Sequence, residues 1–467
     1  MRRDLAKFKS APAVSFTGVH MVSLLIKNGL IVTMDKDRRI ISDGSVVVED
    51  GRIVSVKRGL VGKSKPEEVI DARGKIVMPG LICSHTHLYR MFLRDAPLKI
   101  EPPTDFSQIL QHVRWPMEEA ITKEDAYASA LISCLEFIKT GTTLFADTFS
   151  GPDTIPGILD KIASAVGQSG IRGIIAFEAT ERHTHAEGAR GTKENERFIR
   201  NIKKERMSRA QGMFSIHASF TVSDELFHYV RELASRYKVP VSIHTSEGLG
   251  DVYHNYEHHG KRTVERLNEA RILAPDVVLA HCVHVNDDEL KIIKNTGAKV
   301  AHNPMSNMLT AVGVAPVMKM LSMGIPVGLG NDGYVFDGFE NIRAAYLLQK
   351  VASHDPRAVS PIEALEMATI RGAELYGLQN ELGSIEHGKL ADIIIVDPAL
   401  TPTPLRPESV VWHIVNAVDG DDVETVIVGG NVLMRDRKVQ AIDEAEVVKV
   451  ARKAAEKLWQ KLSLIRK

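Results

Sequence analysis

The chain has 467 residues, of which 44% are hydrophobic and 25% are charged, so it is long enough to bury a large core. Lysine and arginine (59) balance aspartate and glutamate (59), which argues against nucleic acid or an anionic membrane surface as a partner, because both need clustered basic residues. Three cysteines without a C-x-x-C motif, and no apolar run of the roughly 18 residues that a membrane helix needs, predict a cytoplasmic protein.

β-Rich segments occur near both ends of the chain. Residues 1–21 lack the apolar centre of a signal peptide and are predicted to be an extension outside the folded domains. Residues 22–79 contain short β-rich runs separated by Asn-Gly and Asp-Gly turn signals, and residues 383–441 have the same character. Because these two segments resemble each other and differ from the middle of the chain, we expect them to form one composite β-sandwich domain.

The middle of the chain, residues 80–382, alternates eight apolar runs with segments of helical periodicity. This α/β pattern predicts a (β/α)₈ TIM barrel, with a doubly wound sheet as the alternative. Residues 442–467 are predicted to form a C-terminal helix that packs on the body of the protein, a dimer contact being the alternative. Its apolar stripe consists of Val447, Val448, Ala451, Ala455, Leu458 and Leu462.

Polar residues end the eight apolar runs, where a parallel barrel collects its functional groups. A single histidine at such a position is usually structural, but this clustering predicts one shared site. His85 and His87 stand two apart on a strand, so both would face the barrel mouth and could converge on one metal ion, zinc or iron. The strand-end residues are His85 with His87, Asp147, Glu178, His217, His244 with Glu247, His281, His302 with Asn303, and Asp332.

Other motifs have weaker settings. A second His-Thr-His, at residues 183–185, lies in the charged stretch "FEATERHTHAEG" and is predicted to be a solvated loop. The G-x-G-x-x-G at residues 328–333 lacks the helix that should open directly after it, so its glycines more plausibly allow a tight turn around Asp332. Cys282 is expected to be a buried apolar cysteine. The histidine-containing stretch 251–262 is expected to be a loop near the site, and Asp147 and Glu178 are equally compatible with a supporting or a structural role.

Several motifs carry a family resemblance. "VMPGLICSHTH", "HTSE", "LAHCVH", "HNPMSNM", "GLGNDG" and "LGSIEHGKLADIIIVD" resemble the amidohydrolase superfamily, in particular its mononuclear aminohydrolase branch of deaminases and chlorohydrolases. The resemblance extends from about residue 22 to residue 440. "SFTVS", "HHGKRTVERL" and "PTPLRPESVVWHIV" are similar to the SsnA-type aminohydrolases.

The resemblance implies roles for individual residues. His85, His87, His244 and Asp332 would ligate one divalent metal ion, Zn²⁺ with Fe²⁺ as the alternative. Glu247 would shuttle protons, His281 would hydrogen-bond the attacking water or the attacked atom, and Asp332 would also accept the proton of the water. His217 would contact the substrate ring. The resemblance thus implies three catalytic residues, Glu247, His281 and Asp332, one substrate-binding residue, His217, and four metal ligands, His85, His87, His244 and Asp332.

The implied function is hydrolytic deamination of an amino-substituted N-heterocycle, such as a purine or a pterin. In that reaction, metal-activated hydroxide attacks and ammonia is released. A hydrolase of a ring amide C–N bond or of a C–halogen bond is the alternative. A scaffold without catalysis is disfavoured because all the implied ligands and Glu247 occur together. The expected partners are a small heterocyclic substrate and a second copy of the chain.

Overall fold

A computed structural model describes residues 22–59, 66–205, 208–398 and 401–465. The extension predicted at residues 1–21 lies outside the described residues. In the part of the chain that is described, no helix has the length and apolar character that crossing a bilayer requires.

The strands fall into three groups along the chain. The N-terminal group comprises β1 (Val22–Val32), β2 (Ile40–Glu49), β3 (Arg52–Arg58), β4 (Glu68–Asp71) and β5 (Ile76–Pro79). The middle group comprises β6 (Leu81–Thr86), β7 (Thr142–Phe149), β8 (Arg172–Ala179), β9 (Ala210–Gly212), β10 (Phe214–Ala218), β11 (Val241–Thr245), β12 (Val277–His281), β13 (Lys299–His302) and β14 (Val327–Leu329). The C-terminal group comprises β15 (Ile393–Val396), β16 (Val423–Val428), β17 (Asn431–Arg435) and β18 (Lys438–Val439).

Helices connect and cover these strands. The α-helices are α1 (Phe106–Ile109), α2 (Trp115–Ala120), α3 (Lys123–Lys139), α4 (Ile158–Ser169), α5 (His185–Ile202), α6 (Asp224–Tyr237), α7 (Leu249–His259), α8 (Thr263–Glu269), α9 (Asp287–Thr296), α10 (Pro304–Leu309), α11 (Val317–Ser322), α12 (Gly338–Ser353), α13 (Pro361–Met367), α14 (Ile370–Leu375), α15 (Val410–Asn416) and α16 (Glu444–Ile465). A 3₁₀ turn spans Leu88–Leu93 and a π turn spans Leu110–Arg114. Further 3₁₀ turns are Pro152–Thr154, Ser219–Thr221 and Gly420–Asp422.

The middle strands form the predicted parallel barrel. The order is β6-β7-β8-β10-β11-β12-β13-β14, with β9 paired to β8 beside this path. The last strand returns to the first, since the backbone amides of Asn331 and Asp332 both donate to the carbonyl oxygen of His85, at 2.9 and 3.2 Å. The (β/α)₈ prediction is therefore confirmed.

Side-chain alternation places apolar residues low in the barrel and polar residues at its mouth. Along β8, Ile174 and Ala176 belong to one apolar cluster, and Glu178 follows them at the next position of the same face. Residues between them, such as Ile175, pack instead in the cluster that includes the surrounding helices. Because alternate residues of a strand share a face, the strand ends present their polar groups at one opening.

Both chain ends contribute to a second sheet, as the sequence predicts. Its order is β18-β17-β16-β15-β5-β1-β2-β3, with β4 paired to β1. The two ends meet where β5 and β15 pair antiparallel, from Ile393 opposite Pro79 to Val396 opposite Ile76. One face of β15 packs within the core of this sheet through Ile393 and Ile395, and the other face joins the barrel core.

The C-terminal helix packs on the body of the protein, as its stripe predicts. Val447, Leu458 and Leu462 of α16 are buried. Polar contacts fix its position: the indole Nε1 of Trp459 donates to the carbonyl oxygen of Phe92 at 2.7 Å, and Lys139 pairs with Glu444 at 2.8 Å. The helix thus braces the 3₁₀ turn that follows the first His-Thr-His.

The prediction of a loop at residues 251–262 is wrong over most of that stretch, because residues 249–259 form α7. Its buried positions are Asp251, Val252 and Asn255, whose spacing is helical. Two of these three side chains are polar, so a search for apolar periodicity does not find the buried face of this helix.

Candidate active site

Four predicted ligands converge at the barrel mouth. Suitable ligand atoms of His85, His87, His244 and Asp332 all lie within 4.8 Å of one another, and all four residues are buried. Asp332 Oδ1 is 3.0 Å from His87 Nε2 and 3.4 Å from His85 Nε2. Residues from β6 and the position directly after it, from β11 and from the turn after β14 are thereby brought to one point.

Backbone carbonyls fix the orientation of two of these imidazoles. His87 Nδ1 donates to the carbonyl oxygen of Thr148 at 2.6 Å, and His244 Nδ1 donates to that of His217 at 2.7 Å. Each ring therefore directs Nε2 into the site, and the two Nε2 atoms lie 3.1 Å apart. A partner on Nδ1 is the usual support of a histidine that binds metal through Nε2.

These imidazoles are held in their neutral form. Burial lowers the pKa of His85 to about 4, and burial likewise places the pKa values of His87 and His244 well below the ordinary value. Within the described residues, neither ring nitrogen of His85 has a hydrogen-bond partner. Neutral imidazoles with lone pairs facing one another, beside a carboxylate, fit a divalent cation, because the cation would satisfy these buried nitrogens.

Glu247 and His281 lie beside this cluster. His281 Nε2 is 3.5 Å from Glu247 Oε2 and 3.8 Å from Asp332 Oδ1, while its Nδ1 is 2.8 Å from Asn307 Oδ1. Burial alone would lower the pKa of His281, but the Glu247 and Asp332 carboxylates outweigh burial and raise it. An imidazole and a carboxylate at this separation could share the transfer of a proton through one water molecule or a substrate atom.

The backbone is strained at the strand ends that carry the site. Ser246, His281 and Asp332 have φ values of +49°, +74° and +55°, in the left-handed region that costs a non-glycine residue on the order of 1–3 kcal/mol. Glycine supports the same turns: a Cβ at Gly330 would lie 2.6 Å from the carbonyl oxygen of His85. The glycines of the G-x-G-x-x-G therefore permit close passage of the chain around Asp332, as their sequence setting indicates.

A cavity of about 240 Å³ opens onto the cluster. It is lined by His217, His244 and Glu247, together with the aromatic rings of Phe106, Trp115 and Phe220. Burial and the charge of Arg182 lower the pKa of His217 to about 3, so its ring is neutral. A larger outer cavity, of about 640 Å³, adjoins the first, since Trp115, Phe220 and His254 line both.

Two arginines at the site were not predicted from the sequence. Arg90 and Arg114 are each 1% exposed and line the inner cavity. Arg90 Nη1 donates to Asp332 Oδ1 at 2.7 Å, and Arg114 Nη2 donates to Asp332 Oδ2 at 3.1 Å. Burial alone would raise the pKa of Asp332, but these two guanidinium groups outweigh burial and hold the pKa well below its ordinary value.

Asp147 and Glu178 occupy supporting positions. Asp147 Oδ1 accepts from the backbone amide of Leu88 at 2.8 Å and so anchors the turn after His87. Glu178 lies 3.7 Å from His87 Nδ1 and 3.6 Å from His244 Nδ1, on the side of both rings away from Nε2. Burial and the neighbouring Glu118 raise the pKa of Glu178 well above its ordinary value.

The second His-Thr-His lies apart from the metal-ligand cluster. The His183 and His185 side chains are 58% and 86% exposed and pair with Glu119 and Glu181. His183 precedes α5, and His185 is its first residue, with Thr184 as the N-cap. Both line the outer cavity. The predicted solvent exposure is confirmed, although His185 belongs to a helix. Cys282 is fully buried among apolar side chains, also as expected.

The chain is similar to known proteins over most of its length. The profile described as the Amidohydrolase family matches residues 76–433. The 5′-deoxyadenosine deaminase of Methanosarcina mazei is 38% identical over 449 residues, which cover 94% of this chain and 99% of the relative. The 5-methylthioadenosine/S-adenosylhomocysteine deaminase of Desulforamulus reducens is 34% identical over 446 residues, with 94% and 99% coverage.

Solved structures share the fold. A zinc-bound adenosine deaminase from Xanthomonas campestris superposes with a TM-score of 0.86 at 24% identity, covering 94% of this chain and 99% of that structure. A zinc complex of atrazine chlorohydrolase from Arthrobacter aurescens superposes with a TM-score of 0.81 at 23% identity, covering 92% and 100%. The superfamily and the C–N hydrolase chemistry predicted from the sequence are confirmed by the family match and by the deaminase relatives. The chain belongs to the amidohydrolase family.

Proposed function

We propose that His85, His87, His244 and Asp332 together hold one divalent metal ion, Zn²⁺. Support comes from the two facing Nε2 atoms, 3.1 Å apart, whose Nδ1 atoms are already occupied by backbone carbonyls. Three imidazoles and one carboxylate are a ligand set that zinc accepts, and Fe²⁺ fits the same set.

We further propose hydrolytic deamination of an amino-substituted purine or related ring. The divalent ion that His85, His87, His244 and Asp332 would hold would supply a hydroxide nucleophile near neutral pH, by lowering the pKa of water, for attack on the ring carbon. Glu247 protonates the adjacent ring nitrogen, which makes the C=N bond electrophilic, while Asp332 accepts the proton of the attacking water. The proton on Asp332 then passes to the amino group, the C–N bond breaks to release ammonia, and the hydroxyl proton of the product returns to Glu247. His281, 3.5 Å from Glu247, donates a hydrogen bond to the oxygen that adds to the ring carbon and stabilises the charge that develops there.

The two adjoining cavities would hold different parts of the substrate. The inner cavity is small and places its aromatic walls and the neutral His217 ring where a planar heterocycle would stack and be oriented. The outer cavity offers room for a substituent such as a sugar. The relatives' names, which refer to 5′-deoxyadenosine and to methylthioadenosine, support an adenosine-like substrate.

The proposal depends on one observation. The four proposed metal ligands, Glu247 and His281 lie together at the barrel mouth, beside a single cavity. Its test has two parts. Elemental analysis of the purified protein should find about one zinc or iron per chain. Ammonia release should then be measured with adenosine, 5′-deoxyadenosine, methylthioadenosine, guanine and a pterin, with atrazine and chloride release as a parallel assay. No ammonia from any of these rings would contradict the deaminase proposal, and two metals per chain would contradict the mononuclear site.

A further inference from the structure

The side chain of Glu247, the proposed proton donor, is not fixed by short contacts of its own. Arg114 Nη1 and His281 Nε2 each lie 3.5 Å from one of its carboxylate oxygens, whereas charge-assisted hydrogen bonds are usually about 2.7–2.9 Å long. Within the described residues, Oε1 of Glu247 has no hydrogen-bond partner. The position of this carboxylate therefore depends on the backbone that carries it.

The backbone directly before Glu247 turns sharply. Ser246 has a φ of +49°, in the left-handed region, and such a conformation persists only where the surrounding structure holds it. The carbonyl oxygen of Ser246 accepts from the backbone amides of Val283 and His284, at 3.1 and 3.0 Å. Glu247 is followed by Gly248, the N-cap of α7, which has no side chain to hold the turn. The amide of Ser246 is the other backbone group at which this turn can be fixed.

Asp251 provides the contact to that amide. Its Oδ2 accepts from the backbone amide of Ser246 at 2.7 Å, and the residue is 6% exposed. Its Oδ1 accepts from Ser219 Oγ at 2.6 Å. Although Asp251 lines the inner cavity, each of its carboxylate oxygens already accepts from a group of the protein. Asp251 is therefore placed to act on the reaction through Ser246 rather than by contact with the ring.

Neighbouring groups hold Asp251 itself in place. It stands in the first turn of α7, where the helix dipole favours a negative charge. One turn later, Asn255 Nδ2 donates to Asp251 Oδ1 at 2.8 Å and to Ser219 Oγ at 2.6 Å. Arg266 of α8 donates to Asn255 Oδ1 at 3.2 Å and to the carbonyl oxygen of Ser219 at 2.6 Å. The carboxylate thus belongs to a buried hydrogen-bonded network that joins α7, α8 and the turn after β10.

We infer that Asp251 is a positioning residue for the proposed deamination, which holds the turn at Ser246 so that the Glu247 carboxylate reaches the ring nitrogen. This inference rests on the proposed function and adds to it a residue that does not take part in proton transfer. A displacement of about 1 Å at a reacting group can lower the rate by about 10²-fold. The loss of this backbone anchor should therefore reduce turnover more than it reduces substrate binding.

The test measures kcat and KM for ammonia release with the substrate that the wild-type protein deaminates fastest. Each variant is first checked for unchanged metal content and thermal unfolding. In Asp251→Ala the Ser246 amide loses its acceptor, so we expect kcat to fall at least about tenfold while KM changes less than about threefold. Asp251→Asn keeps an oxygen that can accept from this amide, and its kcat should stay within about threefold of the wild-type value.

Glu194→Ala is the matched control. The Glu194 carboxylate is also buried and also accepts from a backbone amide, that of Gly157 at 2.9 Å, but it does so between α4 and α5. This variant should keep the wild-type kcat. A fall in kcat equal to that of Asp251→Ala would show that the loss of any such buried anchor slows the enzyme, and would overturn the inference.

The Glu247→Gln protein separates positioning from a general structural role. An effect that acts through Glu247 disappears when this side chain no longer transfers the proton, so Asp251→Ala should lower the residual kcat by less than about twofold. An equal fall in both backgrounds, or wild-type kcat in Asp251→Ala alone, would overturn the inference. If the alanine variant loses its metal or its fold, Asp251→Glu, whose longer side chain displaces the carboxylate, is measured by the same criteria.

These outcomes are distinct from a failure of the proposed function. If the wild-type protein releases no ammonia from any ring tested, the deaminase proposal is contradicted, and with it a role of Asp251 in that reaction. Ammonia release by the wild-type protein together with an unchanged kcat in Asp251→Ala would overturn the role of Asp251 alone.

Discussion

His85 and His183 each begin a His-Thr-His tripeptide, but only the first lies in the metal-ligand cluster. We expect His85→Asn to reduce bound metal from about one ion per chain to near zero, because the buried site loses an imidazole ligand. His183 is 58% exposed, so His183→Asn is the matched control and should keep its metal. Elemental analysis of both variants is the measurement. Equal metal content in the two proteins would contradict the assignment of the first pair.

Glu247 is the residue on which the proposed proton transfer depends. We expect Glu247→Gln to lower kcat by about 10²–10⁴-fold, the usual contribution of general acid–base catalysis, while metal content is unchanged. Steady-state ammonia release and elemental analysis measure the two quantities. Wild-type turnover in this variant would refute the mechanism, and loss of metal would show that Glu247 has a structural role instead.

Individual residues also show where sequence reasoning reaches its limit. The histidines and Asp332 could be predicted because they end strands, and strand period and barrel topology bring such ends together. Arg90 and Arg114 could not, because they lie in a 3₁₀ turn and a π turn, where no simple period indicates which side chains face inward. The one available signal was a charged residue within the apolar run "HLYRMFL" directly after the first histidine pair.

At the scale of elements, α16 connects the end of the chain to the site region. Its Trp459 donates to the carbonyl oxygen of Phe92, in the same 3₁₀ turn as Arg90. We expect Trp459→Ala to lower the free energy of unfolding by about 2 kcal/mol, through lost packing and the lost hydrogen bond. Trp459→Phe keeps a ring and should cost about 1 kcal/mol. Urea unfolding measures both variants, and wild-type stability of the alanine variant would contradict this bracing role.

Helices α16 and α7 differ in whether their buried face can be recognised from the sequence. The buried stripe of α16 is apolar, including Val447, Leu458 and Leu462, and its period is therefore visible. In α7 the buried Asp251 accepts from Ser219 Oγ at 2.6 Å and from the backbone amide of Ser246 at 2.7 Å. A helix whose buried side chains are mostly hydrogen-bonded polar groups shows no apolar period in its sequence. The hydrogen bonds of Asp251 nevertheless hold the turn before Glu247 in place.

For the whole molecule, metal binding and stability are expected to be linked. In the proposed metal site, a bound cation satisfies the facing imidazole nitrogens, so removal of the metal by a chelator should lower the melting temperature by a few degrees. A ligand present at 100 times its Kd contributes about 2.7 kcal/mol to the folded state. Scanning calorimetry before and after zinc is restored measures the shift, with His85→Asn as the control that should not respond. An unchanged melting temperature after verified metal removal would contradict this linkage.

The architecture of the whole molecule could be predicted more fully than its individual elements or site residues. Eight alternating units and two similar ends are repeated features, and each repeat supports the same interpretation independently. The domain boundaries 22–79 with 383–441, 80–382 and 442–467 stay predictions. Pairing partners within the composite sheet were not predictable, because strands of similar composition have no sequence feature that selects one neighbour over another.

The pairing of β5 with β15 also has a consequence for the order of events during synthesis. Ile76–Pro79 is translated about 300 residues before Ile393–Val396. At a typical 5–20 residues per second, the edge of β5 waits about 15–60 s for its partner while the barrel strands emerge. The composite sheet is therefore completed only after all the barrel strands have emerged, and the edge of β5 is open to pairing with other chains during that interval.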